Sequence, residues 1–401
     1  MLTDGNDTKP PQLSLLQLFL KFLRFGALAF GGPVAQIAMV RQALVEEERW
    51  IDRTRFNRLL AVLQILPGPE AHELCVHLGM VARGRAGGLL AGLGFMLPGF
   101  VLMLCAGWLY VRWIAGNVAF SAILLGIQVV TLAIILRAVF KIGQHILEDS
   151  SLAIIALIGL LSSFLGVPFW VTLATAGIAY ALSHRRIVVV AIMLLPAIAA
   201  MMILQFTGQP HQGVQIVAGA PVTLAMLIVA GLKGGLLTFG GAYTAIPYVR
   251  ADTVGRGWIA DATFLDGIAI AGVLPAPLVI FATFVGYVVA GPAGAIAITA
   301  GMFLPAFAFS LIFFERLEAI IENPALHRVL TGVAAAVVGI IAATFFQLAQ
   351  VTATRIESQA MAAILFGVAL VIAWRVKGAW VTPTIIAGGA LVGWLVPLLQ
   401  W

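Results

Sequence analysis

Four ionisable side chains stand in stretches that are otherwise apolar. Arg24 and Lys233 each precede a Phe-Gly-Gly by six positions, in Phe30-Gly31-Gly32-Pro33 and Phe239-Gly240-Gly241. Glu70 and Glu73 lie in Pro69-Glu70-Ala71-His72-Glu73-Leu74-Cys75-Val76-His77. A lone Lys or Arg near the centre of a bilayer costs about 2.5–3.5 kcal/mol on insertion scales, so such residues usually serve a site. Two cations around one space are neutralised by a dianion, which points to a divalent tetrahedral oxyanion as ligand. The plainer alternative is that both side chains snorkel to an interface.

The acids read differently. Glu70 and Glu73 are one helical turn apart and share a face. A carboxylate beside a dianion repels it unless protonated or paired. The pair therefore suits either a salt bridge to Arg24 or Lys233 in the empty site, or proton coupling. A water-filled vestibule is the plainer setting. The second copy of the motif has Leu278-Val279-Ile280-Phe281 there, so the acids belong to one half only. His72 and His77 are five apart and do not share a helix face, so no metal is expected, and nothing calls for a cofactor.

Helices must place these groups, and glycine pairs in apolar runs predict that the helices break. Pro33 after Gly31-Gly32 suits the first turn of a new half-helix, and Pro69 after Gly68 does the same in Leu66-Pro67-Gly68-Pro69. Such a half-helix presents free backbone N–H groups and the positive end of its dipole, which attract anions. The expected substrate site is therefore Arg24, Gly31, Gly32, Pro33, Gly68, Pro69, Lys233, Gly240 and Gly241, with Glu70, Glu73, Arg41 and Arg250 in coupling or gating roles.

Composition sets the surroundings. The chain has 401 residues, 62% hydrophobic and 10% charged, whereas soluble domains carry about 25% charged residues. It is expected to be an all-α polytopic membrane protein with about 12–13 transmembrane segments. The net charge of +6 sits mostly in short connections, where it sets topology and meets lipid headgroups rather than nucleic acid. No cleavable signal peptide is evident in the first residues. Cys75 and Cys105 read as small buried hydrophobes. Gly84, Gly88 and Gly92 form a small-residue stripe suited to helix packing. No phosphate-binding Gly-rich loop ending in Gly-Lys-Ser/Thr is present, which disfavours ATP-driven pumping.

The chain repeats itself. Phe30-Gly31-Gly32 matches Phe239-Gly240-Gly241, and Arg41 matches Arg250, at a shift of 209. Leu66-Pro67-Gly68-Pro69 matches Leu274-Pro275-Ala276-Pro277 at 208, and Leu97-Pro98 matches Leu304-Pro305 at 207. The halves divide as a first repeat over 14–183, a linker over 184–218 with an added transmembrane segment, and a second repeat over 219–401. An odd number of spans before the second copy makes the halves inverted-topology repeats with broken helices. With the N-terminus cytoplasmic, most loop cations fall inside. The exception is the connection holding Arg41, Arg49, Arg53, Arg55 and Arg58. If 14–41 were instead a re-entrant hairpin, this connection would be cytoplasmic, and both copies would need the same hairpin.

Phe30-Gly31-Gly32-Pro33, Leu66-Pro67-Gly68-Pro69-Glu70-Ala71 and the second Phe-Gly-Gly, in this order over essentially the whole chain, resemble the chromate ion transporter family in its two-domain long form. The resemblance implies an inner-membrane transporter that extrudes chromate and confers resistance, with sulfate competing as a dianion of like shape. A sulfate importer of the same architecture is the nearest alternative, and a membrane-embedded protein of another class using Glu70, His72 and Glu73 the more distant one. The expected partners are chromate, sulfate, the lipid bilayer and a second copy in a homodimer. The second repeat departs from the pattern, with Ala276 in place of Gly68 and Ala242 in place of Pro33.

Overall fold

The computed structural model describes residues 10–63, 67–182, 187–195, 198, 222–239, 241–313, 324–356, 358–376, 378 and 380–395. Among them no strand occurs, and the chain is an all-α polytopic membrane protein. The first half runs α1 (Leu15–Ala27), α2 (Gly32–Arg41), α3 (Arg53–Leu63), α4 (Glu70–Leu109), α5 (Val118–Ile146), α6 (Ser150–Phe164) and α7 (Phe169–Leu182). The second repeats the order as α8 (Leu224–Leu236), α9 (Ile246–Thr253), α10 (Asp261–Val273), α11 (Phe281–Ala308), α12 (Pro324–Ala353), α13 (Gln359–Arg375) and α14 (Val381–Leu395). The added segment expected in the 184–218 linker lies largely outside the described residues.

Segment 14–41 is not one helix. Ser14 and Gln17 close a capping box that starts α1, and the helix stops at Ala27. Gly31 (φ 87°) then turns the chain into α2, with Pro33 in its first turn. A π-helical turn, Gln42–Glu47, follows. The next residues lie back beside the middle of α1: Lys21 pairs with Glu48 and sits 5.5 Å from the Trp50 ring, and Phe22 meets Trp50 edge-on at 6.3 Å. This is the fold-back geometry of a hairpin, and it brings the Arg41–Arg58 connection alongside α1. The second half does the same. A Cβ on Gly234 of α8 would lie 2.9 Å from Val249 of α9, and Lys233 reaches Asp252 at 3.1 Å.

Residues 56–82 are likewise not one helix and divide between α3 and the start of α4. Helix α4 is itself a hairpin. Arg83 (φ −143°, ψ 31°) and Gly84 (φ 63°, ψ −160°) reverse it, and α11 reverses at Ala290 (φ −144°, ψ 29°) and Gly291 (φ 63°, ψ −157°). Only glycine holds that second conformation without strain. The arms then pack closely: a Cβ on Gly79 would lie 2.6 Å from the Gly87 carbonyl, and one on Gly88 2.9 Å from that of Val76. The Gly88 and Gly92 positions of the stripe are thus packing positions. Residues 70–114, 120–146, 278–312 and 327–353 form helices long and apolar enough to cross a membrane, the first and third including these reversals.

The two halves interlock. Helices α6 and α7 pack on α12 of the second half, while α13 and α14 pack on α5 of the first. Corresponding long elements run antiparallel. Gly88 lies by Leu311 and Gly92 by Phe307. Between α5 and the end of α12, Gly143 lies by Val338 and Gln128 by Arg355.

Candidate functional site

The interrupted backbones of the two halves meet crosswise. Pro69 caps α4, and the Gly68 N–H just before it donates to the Thr238 carbonyl at 2.8 Å, beside the break of the second half. By the repeat, Gly68 corresponds to Ala276 and Thr238 to Ala29. That second pair is also joined, through one side chain: Gln36 Nε2 donates to the Ala29 and Ala276 carbonyls, both at 2.9 Å. Gln36 is 1% exposed, and its Oε1 has no hydrogen-bond partner. Gly99 of α4 leaves no room for a Cβ against Ala276.

Helix α2 starts after Gly31 with Pro33 in its first turn, and α4 starts after Gly68 with Pro69 as its cap. Gly241 (φ 130°) carries the corresponding break of the second half, followed by a short 3-10 turn, Ala242–Ala245. The expectation for Gly240 lies outside the described residues.

Glu70 and Glu73 open α4 and are 8% and 0% exposed. Both Glu73 carboxyl oxygens lack a hydrogen-bond partner among the described residues, and the carboxyl lies over Gly68 where a Cβ would be. Burying an unpaired carboxyl is costly, so this is the least compensated acid at the junction. His72 packs edge-on against Phe303 (4.9 Å) and Phe307 (4.8 Å) of α11. Among the described residues no cluster suited to a metal ion occurs.

The cations are distributed otherwise than the sequence suggested. Lys233 binds Asp252 at 3.1 Å, and Arg256 binds the same carboxylate at 3.0 Å, so neither Glu70 nor Glu73 is the partner of Lys233. Arg24, in the last turn of α1, is exposed and has no ion pair among the described residues. Arg41 contacts Glu46 at 3.5 Å. The Arg53 guanidinium, hydrogen-bonded to Glu46, holds that carboxyl below the usual carboxylate range. Arg250 is held by Asp261 (2.6 and 3.0 Å) and Gln347 (2.6 Å).

Sequence reasoning missed three features. Asp266 is 2% exposed and accepts from Tyr110 Oη at 2.8 Å and Gln128 Nε2 at 2.7 Å, while Arg355 reaches Gln128 at 3.3 Å. This network joins α4, α5, α10 and the end of α12. Gln36 gave no signal beyond an amide in an apolar helix. Arg137 lies well inside α5.

A family model for the chromate transporter matches residues 16–181 and 225–394, once in each half. The chain belongs to the chromate transporter family. It is 54% identical to a chromate transport protein of Pseudomonas aeruginosa, over 96% of this chain and 94% of that protein. It is 30% identical to a chromate transport protein of Cupriavidus metallidurans, over 99% and 97% of the two chains. A probable chromate transport protein of Synechococcus elongatus is 29% identical, over 96% of each. No solved structure matches. The junction described above is therefore built from both copies of the family unit, and Gly31, Pro33, Gly68, Pro69 and Gly241 of the motifs that carry the resemblance stand where its helices are interrupted.

Proposed function

We propose that the chain is a secondary transporter that carries chromate out across the cytoplasmic membrane and so confers chromate resistance, with sulfate as a competing dianion. The observation that carries this is the crosswise junction of Gly68 with Thr238 and of Ala29 with Ala276, where broken helices of both halves meet. Broken helices at the interface of two repeats are where secondary transporters hold their substrates. Helix starts there offer backbone N–H groups to an anion.

The halves act as inverted repeats, with the N-terminus cytoplasmic. The antiparallel run of Gly88 and Gly92 against Leu311 and Phe307 supports this. So does the hairpin of 14–41, which brings the Arg41–Arg58 connection to the side of Arg83 and Arg85 and removes the exception to the positive-inside pattern. An inside-negative potential drives a dianion outward. Each charge gains about 2.3 kcal/mol per 100 mV, so a dianion sustains a gradient on the order of a thousandfold without protons.

Chromate uptake into everted vesicles, with and without excess sulfate, tests this. Potential-driven accumulation that sulfate reduces is expected. Accumulation of sulfate but not chromate would move the substrate to sulfate, and no accumulation of either would end the transport reading.

A further inference from the structure

Arg137 has no counter-charge among the described residues and lies inside a membrane-spanning helix. Residues 120–146 form one of the apolar helices long enough to cross, and Arg137 stands well within it. Its side chain is half-buried, and its Nε, shielded from solvent, donates to no acceptor. Among the part-buried cations, Arg250 is matched by Asp261, and Lys233 and Arg256 by Asp252. An ionised group at this depth without a partner is costly, and such residues mark ion pathways.

Its neighbours say which anion it serves. Arg137 lies within electrostatic reach of Tyr243, two residues after Gly241 in the second half's break. Tyr243 packs against the apolar cluster that includes Ala133 and Ile134 of α5, one turn before Arg137 and on its face of the helix. The first half thus lends its α5 to line the break of the second. That break lacks the proline and the acids of the first copy, and it has no unpaired cation of its own, since Lys233 is held by Asp252. Guanidinium is a planar fork that meets two oxygens of a tetrahedral oxyanion at once, which an ammonium cannot do.

We propose that Arg137 is the residue that contacts the transported oxyanion at the Gly241–Tyr243 break, gripping two of its oxygens, with the Tyr243 hydroxyl as a further donor. This rests on the transport reading above and assigns the charge at that site to Arg137 rather than to Lys233.

The test is the concentration dependence of chromate uptake into proteoliposomes for the wild type, Arg137→Lys and Arg137→Gln, together with equilibrium binding of radiolabelled chromate to each protein in detergent and its melting temperature. Arg137→Lys should keep the fold and raise the half-saturating concentration roughly tenfold, the loss expected when one of two charge-assisted hydrogen bonds goes. Arg137→Gln should lose binding. If the wild type neither binds nor carries chromate, the transport reading falls and this inference with it. If the wild type transports and both variants keep its half-saturation, transport stands and the role of Arg137 is overturned. A drop in maximal rate and melting temperature with unchanged binding would mark a structural residue, and likewise overturns it.

Discussion

The Gly68 N–H donates to the Thr238 carbonyl at 2.8 Å, and the residues that match them in the other copy, Ala276 and Ala29, are joined through Gln36. One junction is thus made twice, once by backbone alone and once by a borrowed amide. The difference follows from sequence. The first copy has glycine at the junction (φ 151°), while the second has Ala276. Where the glycine copy closes through its own N–H, Gln36 joins the two carbonyls of the alanine copy.

Gly68→Ala should be among the most damaging single changes in the molecule. Its φ disfavours a side chain, and the new Cβ would meet the Glu73 carboxyl. Strained backbone costs on the order of 1–3 kcal/mol, before the clash is counted. Glu73→Ala in the Gly68→Ala background should recover the steric part and leave the backbone part, so the two changes should be non-additive in a thermal-melting cycle. Simple additivity would place the Glu73 carboxyl away from Gly68.

Gly84→Ala and Gly291→Ala should each destabilise by about 1–3 kcal/mol, because each reverses a helix at φ 63°. Gly367 and Gly388 serve as controls. Both lie in helices with nothing within 4 Å of an added Cβ, so their alanine variants should melt within about 0.5 kcal/mol of the wild type. Melting temperatures of the four purified variants decide the matter.

Tyr110→Phe should cost about 1.5–3 kcal/mol, the range for a hydrogen bond to a charged acceptor. Asp266→Ala should cost more, because it strands both Tyr110 and Gln128 in a buried setting. The double variant should fall short of the sum. Since this network ties α4 and α5 to α10, its loss should also lower the rate of transport more than chromate affinity, measured as maximal uptake against half-saturation.

The broken helices and the duplication were legible in the sequence because glycine and proline announce backbone demands directly, and Gly31, Pro33, Gly68 and Pro69 stand where the helices stop. The fold-back of 14–41 stood in the sequence only as one of two open alternatives. A hairpin of two half-helices has the same hydropathy as one span, and what distinguishes it is the contact of Lys21 with Glu48 across the turn. The partner of Lys233 was missed for a related reason: Asp252 is 19 residues away and comes near only because α9 returns along α8. Gln36, Arg137 and Asp266 depend on contacts between halves, which neither composition nor spacing within one repeat can display.

The most direct measurement compares initial rates of chromate uptake into everted vesicles for the wild type and Gln36→Leu at equal protein, with Gly367→Ala as control. Gln36 is buried and holds one of the two crosswise junctions with no charge of its own. Removing a buried hydrogen-bonding group costs about 1–3 kcal/mol. Closure of the site through that junction predicts a rate at least severalfold below wild type for Gln36→Leu and an unchanged rate for Gly367→Ala. A wild-type rate in Gln36→Leu, with wild-type vesicles accumulating chromate, would contradict a substrate site built at the crossing of the two halves.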